Sequence, residues 1–133
     1  MKVRIYYHHT DCGKVVYYAN YLKFLEEART EYLEEKGILM QDLLREGINF
    51  VVRKQEIEYL KPVFYGERLE IKAKVLEVSN CKIIFDYDIR NQDNEVTTLA
   101  KTVLVCVDKE LKPQKIPESI KQKLCSTQSR LRD

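Results

Sequence analysis

The stretch VYYANYLKFLEEARTEYLEEKG, residues 16–37, determines how the rest of the chain can be arranged. Large apolar and aromatic side chains recur in it at helical spacing, and charged side chains occupy the other positions. This pattern predicts one long amphipathic helix from about Val16 to Lys36, ended by Gly37 in the left-handed conformation. Such a helix has an apolar face that needs a partner layer.

The residues on either side of this helix predict that layer. Val3, Ile5 and Tyr7 alternate with polar positions and indicate an opening strand. After a short helix from Met40 to Glu46, alternation and turn residues predict four more strands, at Phe50 to Tyr59 with an internal phase change, Leu69 to Val75, Cys81 to Ile89 and Val96 to Cys106. One helix covering a run of hairpin-connected strands predicts an α+β fold with an antiparallel sheet.

Length and composition limit the classes of function. The 133 residues suffice for one domain, expected over residues 1–125, with a helix from Pro117 to about Leu124 and a polar tail over residues 126–133. A formal charge of +2 provides no global field for nucleic acid. No apolar run is long enough for membrane insertion, and the first residues lack an export signal, so we expect a cytoplasmic protein with reduced thiols.

The last predicted strand is apolar on both of its faces. Leu99, Val103, Val105 and Val107 alternate with a second apolar set on the other face. A single helix covers only one face of a sheet, so the other face is expected to pack against another subunit. We therefore predict a homodimer or a homotetramer.

Asp11 lies in the segment Tyr7 to Val16, where the opening strand gives way to the long helix. Amide groups at a helix start lack intrahelical partners and carry partial positive charge, so they can hold an oxyanion. A carboxylate beside such a site suits acyl transfer. The structural alternative is that Asp11 is an N-cap or Asx-turn residue.

The neighbouring side chains of His8, His9, Asp11 and Cys12 are all metal-ligand types. Adjacent residues of an extended chain point in opposite directions, however, and no second ligand pair has a useful spacing. We therefore predict no metal site. A further alternative is that Cys12 is a nucleophile activated by His9. The structural alternative is that all four are simply polar residues of a loop.

Residues 6–21 read YYHHTDCGKVVYYANY and are followed by Phe24, Glu26, Ala28, Arg29, Thr30 and Glu31. In this first signature the chain resembles the 4-hydroxybenzoyl-CoA thioesterase family, and within it the YbgC-type branch of acyl-CoA thioesterases. Supporting similarity comes from Tyr59-Leu60-Lys61-Pro62 with Gly66, Glu67 and Leu69. The resemblance spans roughly residues 3–108. It departs from the family at His9, where many relatives have an acidic residue, and at Lys14, where glycine is usual.

The resemblance implies a hotdog fold, in which a five-stranded antiparallel sheet wraps around the long helix and two subunits join edge to edge. It also implies hydrolysis of acyl-CoA to a free acid and CoA without a cofactor. Asp11 then acts as nucleophile or general base, amides near Tyr18 hold the oxyanion, and Tyr7 and Tyr18 support the site. Expected substrate contacts are Asn20, Ser79, Asn80 and Lys82.

Structural alternatives remain for these supporting residues. Tyr7 and Tyr18 could be packing aromatics, Asn20 could fix the loop backbone, and residues 79–82 could form a plain hairpin turn. Two other functions also remain open. One is hydrolysis of acyl groups carried by acyl carrier protein, and the other is a non-enzymatic scaffold or partner of cell-envelope, Tol-Pal-type machinery.

Overall fold

The computed structural model describes residues 1–12 and 14–125 in full and the backbone of residues 126–132. Its helices are α1 Tyr18–Glu35, α2 Met40–Arg45 and α3 Glu118–Arg132, with a single 3-10 turn at Tyr7–His9. Its strands are β1 Lys2–Arg4, β2 Thr10–Asp11, β3 Val15–Val16, β4 Asn49–Tyr59, β5 Arg68–Val78, β6 Lys82–Arg90 and β7 Val96–Val107.

Five antiparallel strands form one sheet in the order β1-β5-β6-β7-β4, and β2 and β3 form a separate small hairpin. The apolar face of α1 packs on the inner face of this sheet through Tyr21, Phe24, Leu25, Ala28 and Leu33, all buried. Burying these side chains is the main driving force that holds the layers together. The predicted α+β hotdog architecture, with a long helix near the start and a shorter one at the end, is confirmed.

Two local predictions within these elements are confirmed. The phase change expected in β4 is a bulge, because the register with β7 shifts between Val52 and Lys54. Gly37 has a φ of +80° directly after α1. That conformation is costly for a side chain with a Cβ atom, so glycine is the residue that can end the helix there.

The boundaries around the first loop differ from those predicted. β1 ends at Arg4 rather than near Tyr7, and α1 begins at Tyr18 rather than near Val16. Local hydrogen bonds cause the early turn, since the Tyr6 amide donates to His9 Nδ1 at 2.9 Å and Thr10 Oγ1 donates to the Tyr7 carbonyl at 2.6 Å. These side chains compete with strand pairing for the backbone groups.

At the other end of the chain, α3 continues to Arg132, past the predicted end near Leu124. The predicted polar tail, residues 126–133, lies outside the part of the chain that the structure describes in full. Ile120 and Leu124 anchor the described part of α3 in the core. No helix among the described residues is both long and apolar enough to cross a membrane.

Candidate active site

Asp11 lies at the end of β2, in the small hairpin just before α1. It pairs with Val15 of β3, and its carbonyl accepts a hydrogen bond from the Lys14 amide at 3.1 Å. Cys12 in the turn has a φ of +53°, an uncommon conformation for a residue other than glycine. The hairpin leaves Asp11 exposed, so its carboxylate can meet a ligand.

Hydrogen bonds tie this hairpin to the first turn of α1. The His9 carbonyl accepts from the Tyr17 amide at 2.8 Å and from Asn20 Nδ2 at 2.9 Å. On the other side of the hairpin, the Val16 amide donates to the Val63 carbonyl at 2.8 Å. The Asp11 loop is therefore attached both to the helix and to the segment that follows β4.

The N-cap alternative for Asp11 is wrong, because the N-cap residue of α1 is Tyr17, which makes no side-chain capping bond. The Tyr17 amide is used by His9, and the Asn20 amide donates to the Tyr17 carbonyl at 2.9 Å. Among the described residues, no group accepts a hydrogen bond from the amides of Tyr18 and Ala19. These two amides remain available for an anionic group at the helix start.

A cleft of about 460 Å³ brings Asp11 and the start of α1 together. Its walls are mostly apolar or aromatic and come from the hairpin, the first turn of α1 and the segment after β4: Asp11, Val15, Val16, Tyr17, Tyr18, Tyr21, Tyr59, Leu60, Lys61, Pro62 and Val63. Asp11 is the one carboxylate in this lining. An apolar cleft with a single acidic group suits a small reactive substrate.

Four tyrosines surround the acidic group. The rings of Tyr17 and Tyr18 lie 4.7 Å apart, and those of Tyr21 and Tyr59 meet edge to face at 5.2 Å. The hydrogen bond to Tyr18 raises the pKa of Tyr17, and the negative charge of Asp11 adds to that shift. Burial raises the pKa of Tyr21 and of Tyr59. The hydroxyls of Tyr17, Tyr21 and Tyr59 are therefore neutral near pH 7 and can act as hydrogen-bond donors.

The structure separates the two tyrosines that were predicted to flank Asp11. Tyr18 lines the cleft, as expected. The Tyr7 ring instead packs edge to face on Tyr65 at 6.1 Å, outside the lining of the cleft. A catalytic role for Tyr18 is thus compatible with the geometry of one chain. Tyr7 does not line the cleft that contains Asp11, so a catalytic role for Tyr7 stays a prediction.

His9 supports the loop rather than entering the cleft. Its ring lies 4.0 Å from the His8 ring in a tilted arrangement and meets the Phe24 ring edge to face at 5.3 Å. Burial, followed by the positive charges of His8 and Lys23, lowers the pKa of His9. The described residues contain no group of three or more metal-ligand side chains close enough to hold an ion. The absence of a metal requirement stays a prediction.

The predicted substrate contacts fall in two places. Asn20 binds the His9 carbonyl, as its loop-fixing alternative requires. Ser79, Asn80 and Lys82 lie at the turn between β5 and β6, where the Ser79 amide donates to the Lys82 carbonyl at 2.9 Å. The Asn80 side chain already accepts from Lys121 Nζ at 3.4 Å. This turn shares no lining residue with the Asp11 cleft, and its contact with substrate stays a prediction.

Four lining residues with polar side-chain groups were not predicted as site residues: Tyr17, Tyr21, Tyr59 and Lys61. Tyr21 has the helical spacing of a core residue, and it is buried, yet its ring also forms part of the cleft wall. The segment Tyr59 to Pro62 was noticed only as a similarity. Its position after β4, where the chain crosses towards the Val16 backbone, is what places it beside Asp11.

A family profile described as the thioesterase-like superfamily matches residues 5–124, nearly the whole chain. The chain belongs to this superfamily. The finding confirms the family and the class of enzyme, a thioester hydrolase, that the first signature implied. Each structural element of the cleft lies within the matched residues.

Individual proteins that are similar to this chain are also named as thioesterases. The chain is 40% identical over 119 residues to an acyl-CoA thioester hydrolase, YbgC, of Escherichia coli O6:H1, covering 89% of each chain. It is 32% identical over 109 residues to a putative acyl-CoA thioesterase, YneP, of Bacillus subtilis, covering 82% of this chain and 79% of that protein. Among solved structures, a DHNA-CoA thioesterase from Staphylococcus aureus superposes with a TM-score of 0.92 at 26% identity, over 97% of this chain and 89% of that one.

Proposed function

We propose that this protein hydrolyses acyl-CoA thioesters to a free acid and coenzyme A. The observation that carries the proposal is the shared cleft of Asp11 and the first turn of α1. It combines a carboxylate with amides available for an oxyanion, the minimum needed for acyl transfer. The similarity to proteins named acyl-CoA thioesterases supplies the substrate class.

The chemistry follows from the positions of these groups. The thioester carbonyl oxygen points at the amides of Tyr18 and Ala19, which stabilise the negative charge that develops on it. Asp11 either takes a proton from a water that attacks the carbonyl carbon, or attacks that carbon itself and forms an anhydride, which water then hydrolyses to the free acid and the Asp11 carboxylate. A carbon–oxygen bond forms, the carbon–sulfur bond breaks, and CoA leaves as a thiolate that then gains a proton. A thiolate is a good leaving group, so a weak but well-placed nucleophile suffices.

A thiol-release assay over short, long and aromatic acyl-CoA substrates tests the proposal. Asp11→Asn keeps the size of the side chain and removes its charge, so turnover should fall by about a hundredfold or more with an unchanged unfolding temperature. Asp42→Asn is the matched control, since Asp42 is an exposed carboxylate on α2 outside the cleft. Near-normal thiol release by folded Asp11→Asn would contradict the assignment. Release only from acyl carrier protein, or no release, would favour the other two functions.

A further inference from the structure

Two cysteines lie opposite each other where β6 begins beside the end of β7. Lys82, the first residue of β6, pairs with Val105 of β7. Continuing this antiparallel register by one residue places Cys81 directly opposite Cys106. The Cys106 amide donates to the Cys81 carbonyl at 2.7 Å, which confirms the pairing. Opposed residues of an antiparallel pair have Cα atoms about 4.5 to 5.5 Å apart, within the range that a disulfide can span.

Both thiols belong to the inner face of the sheet. Side chains alternate between the two faces along a strand, so Cys81 shares a face with Ile83, and Cys106 shares it with Leu104. Ile83 and Leu104 are themselves an opposed pair in the core. Side chains of an opposed pair on one face are direct neighbours. A bond between the two sulfur atoms therefore needs side-chain rotation and a small local adjustment of the strands.

Hydrogen bonds hold the backbone on both sides of this pair. The Asn80 carbonyl accepts from the Ile116 amide at 2.8 Å, and the Cys106 carbonyl accepts from the Gln114 amide at 2.9 Å. The Cys106 thiol lies 4.0 Å from the carbonyl oxygen of Lys115, to which it donates. One segment, between β7 and α3, thus fixes the positions of both cysteines. The two thiols are held opposite each other before any bond forms between them.

The two thiols differ in their access to solvent. Cys81 is partly exposed, whereas Cys106 is fully buried. Burial raises the pKa of the Cys106 thiol, and the neighbouring Cys81 thiol adds to this rise. Cys106 therefore stays protonated near pH 7, while Cys81 can meet a small oxidant from solvent. This difference suits an attacking thiol paired with a resolving thiol.

We propose that Cys81 and Cys106 form a reversible cross-strand disulfide when a peroxide oxidises the protein. The Cys81 thiolate attacks one oxygen of hydrogen peroxide, the oxygen–oxygen bond breaks, hydroxide leaves, and a sulfenic acid remains. The Cys106 sulfur loses its proton and attacks the Cys81 sulfur, so that a sulfur–sulfur bond forms and a second hydroxide leaves. Each hydroxide takes up one of the two thiol protons. Two thiols and one peroxide thus give one disulfide and two waters, and a dithiol reductant reverses the change.

This modification site is separate from the proposed hydrolysis. Neither cysteine lines the Asp11 cleft. The disulfide joins the turn before β6 covalently to the end of β7. The reduced thiols expected from the sequence are then the resting state of the pair, and the disulfide is its oxidised state.

Peptide mapping of the intact, folded protein after treatment with hydrogen peroxide tests the proposal. Free thiols are alkylated, and the chain is digested with trypsin without reduction. Cleavage after lysine and arginine leaves Cys81 in residues 75–82 and Cys106 in residues 102–109, each with a single cysteine. Mass spectrometry should find these two peptides joined, and dithiothreitol should separate them. Cys12→Ser and Cys125→Ser are the matched controls and should leave the joined peptide unchanged, since both thiols lie outside the β6–β7 pair.

Dimedone, which captures sulfenic acids, separates the two steps. Cys106→Ser and Cys106→Ala remove the resolving thiol, so capture at Cys81 should rise by about tenfold or more over the wild type. Two variants are used because the position is buried, and thermal unfolding shows which of them is folded. Cys81→Ser should leave Cys106 unmodified under the same treatment, because its thiol is buried.

Several results would overturn the assignment. One is oxidation of Cys12 or Cys125 in the wild type with no joined peptide of Cys81 and Cys106. Another is a joined peptide that appears only after guanidinium has unfolded the chain, since the native register would then have no part in it. A third is equal capture of Cys81 by dimedone in the wild type and in a folded Cys106 variant. The peptide map of the wild type decides the proposal even if neither variant folds.

Discussion

Tyr18 combines a position in the Asp11 cleft with a side chain that is 62% exposed in the single chain. Its hydroxyl is the one that shares a hydrogen bond with Tyr17, so it can orient a water or the thioester near the carboxylate. We expect Tyr18→Phe to lower turnover by roughly tenfold with little change in thermal stability, because the ring and its packing remain. Steady-state thiol release and thermal unfolding measure the two effects.

Tyr7→Phe is the matched comparison for this variant. Tyr7 is equally exposed, at 64%, but its ring contacts Tyr65 and lies outside the cleft lining. Removal of its hydroxyl should therefore change turnover less than Tyr18→Phe does. An equal loss of turnover in both variants would indicate that Tyr7 belongs to the active site. Tyr7 would then have to reach the cleft of a partner subunit. Unchanged turnover in Tyr18→Phe, with lost stability, would mark Tyr18 as structural.

His9 makes the Asp11 loop sensitive to acid. Its pKa lies below the ordinary value of 6.5, and its Nδ1 must stay unprotonated to accept the Tyr6 amide. As the pH falls, the unfolded chain takes up this proton first, so the stabilising effect is complete above about pH 6.5 and is lost through the lower folded pKa. We expect the unfolding temperature of the wild type to fall more steeply below that pH than that of His9→Asn. Parallel curves would show that another group controls the acid response.

At the level of the elements, the spacing of apolar residues along the sequence was enough to predict the long helix and four of the sheet strands. Because Phe24, Leu25 and Ala28 are buried on one face of α1, apolar residues recur at helical spacing in the sequence. The bulge in β4 likewise shifts the alternation of polar and apolar residues in that strand. The short hairpin of β2 and β3 has no such pattern. Each strand contains two residues, and the shape of the hairpin depends on side-chain hydrogen bonds, which His9 accepts and Thr10 and Asn20 donate.

The candidate site, like the fold, was predictable from the sequence only in part. Asp11 could be singled out because a carboxylate before a long helix has a local chemical meaning. The wall formed by Tyr59 and Lys61 could not, since its contact with the hairpin depends on where the chain returns after β4. Sequence separation hides such contacts when no regular pattern links the two segments.

Asn20 tests how the attachment between hairpin and helix contributes to function. Asn20→Ala removes the 2.9 Å bond to the His9 carbonyl, which keeps its bond from the Tyr17 amide. We expect a loss of stability of about 1 kcal/mol and a loss of turnover that is clearly larger, because Asp11 is no longer held against the helix start. Thr30→Ala is the control, since it removes a similar side-chain to backbone bond farther along α1. Equal effects of both variants on turnover would contradict a positioning role.

At the scale of the whole molecule, two surfaces of the sheet are not covered by any of the described residues. β4 is an edge strand of eleven residues, and long unpaired edges readily pair with another chain. The outer face of β7 presents Val103 and Val105, which are only half-buried, and Leu99, which is 40% exposed. α1 covers the opposite face. The prediction that another subunit packs here therefore has a structural basis in two separate surfaces.

Light scattering at micromolar concentration should show at least a dimer, and a tetramer where both surfaces are used. Val103→Lys places a charge on the outer face and leaves the β4 edge intact, so it should convert a tetramer into a dimer without unfolding the chain. If the wild type is a dimer and Val103→Lys does not change it, the edge of β4 is the interface and the outer face is simply exposed. A stable wild-type monomer would contradict the assembly. In that case the Asp11 cleft, as one chain forms it, would have to bind the entire acyl group.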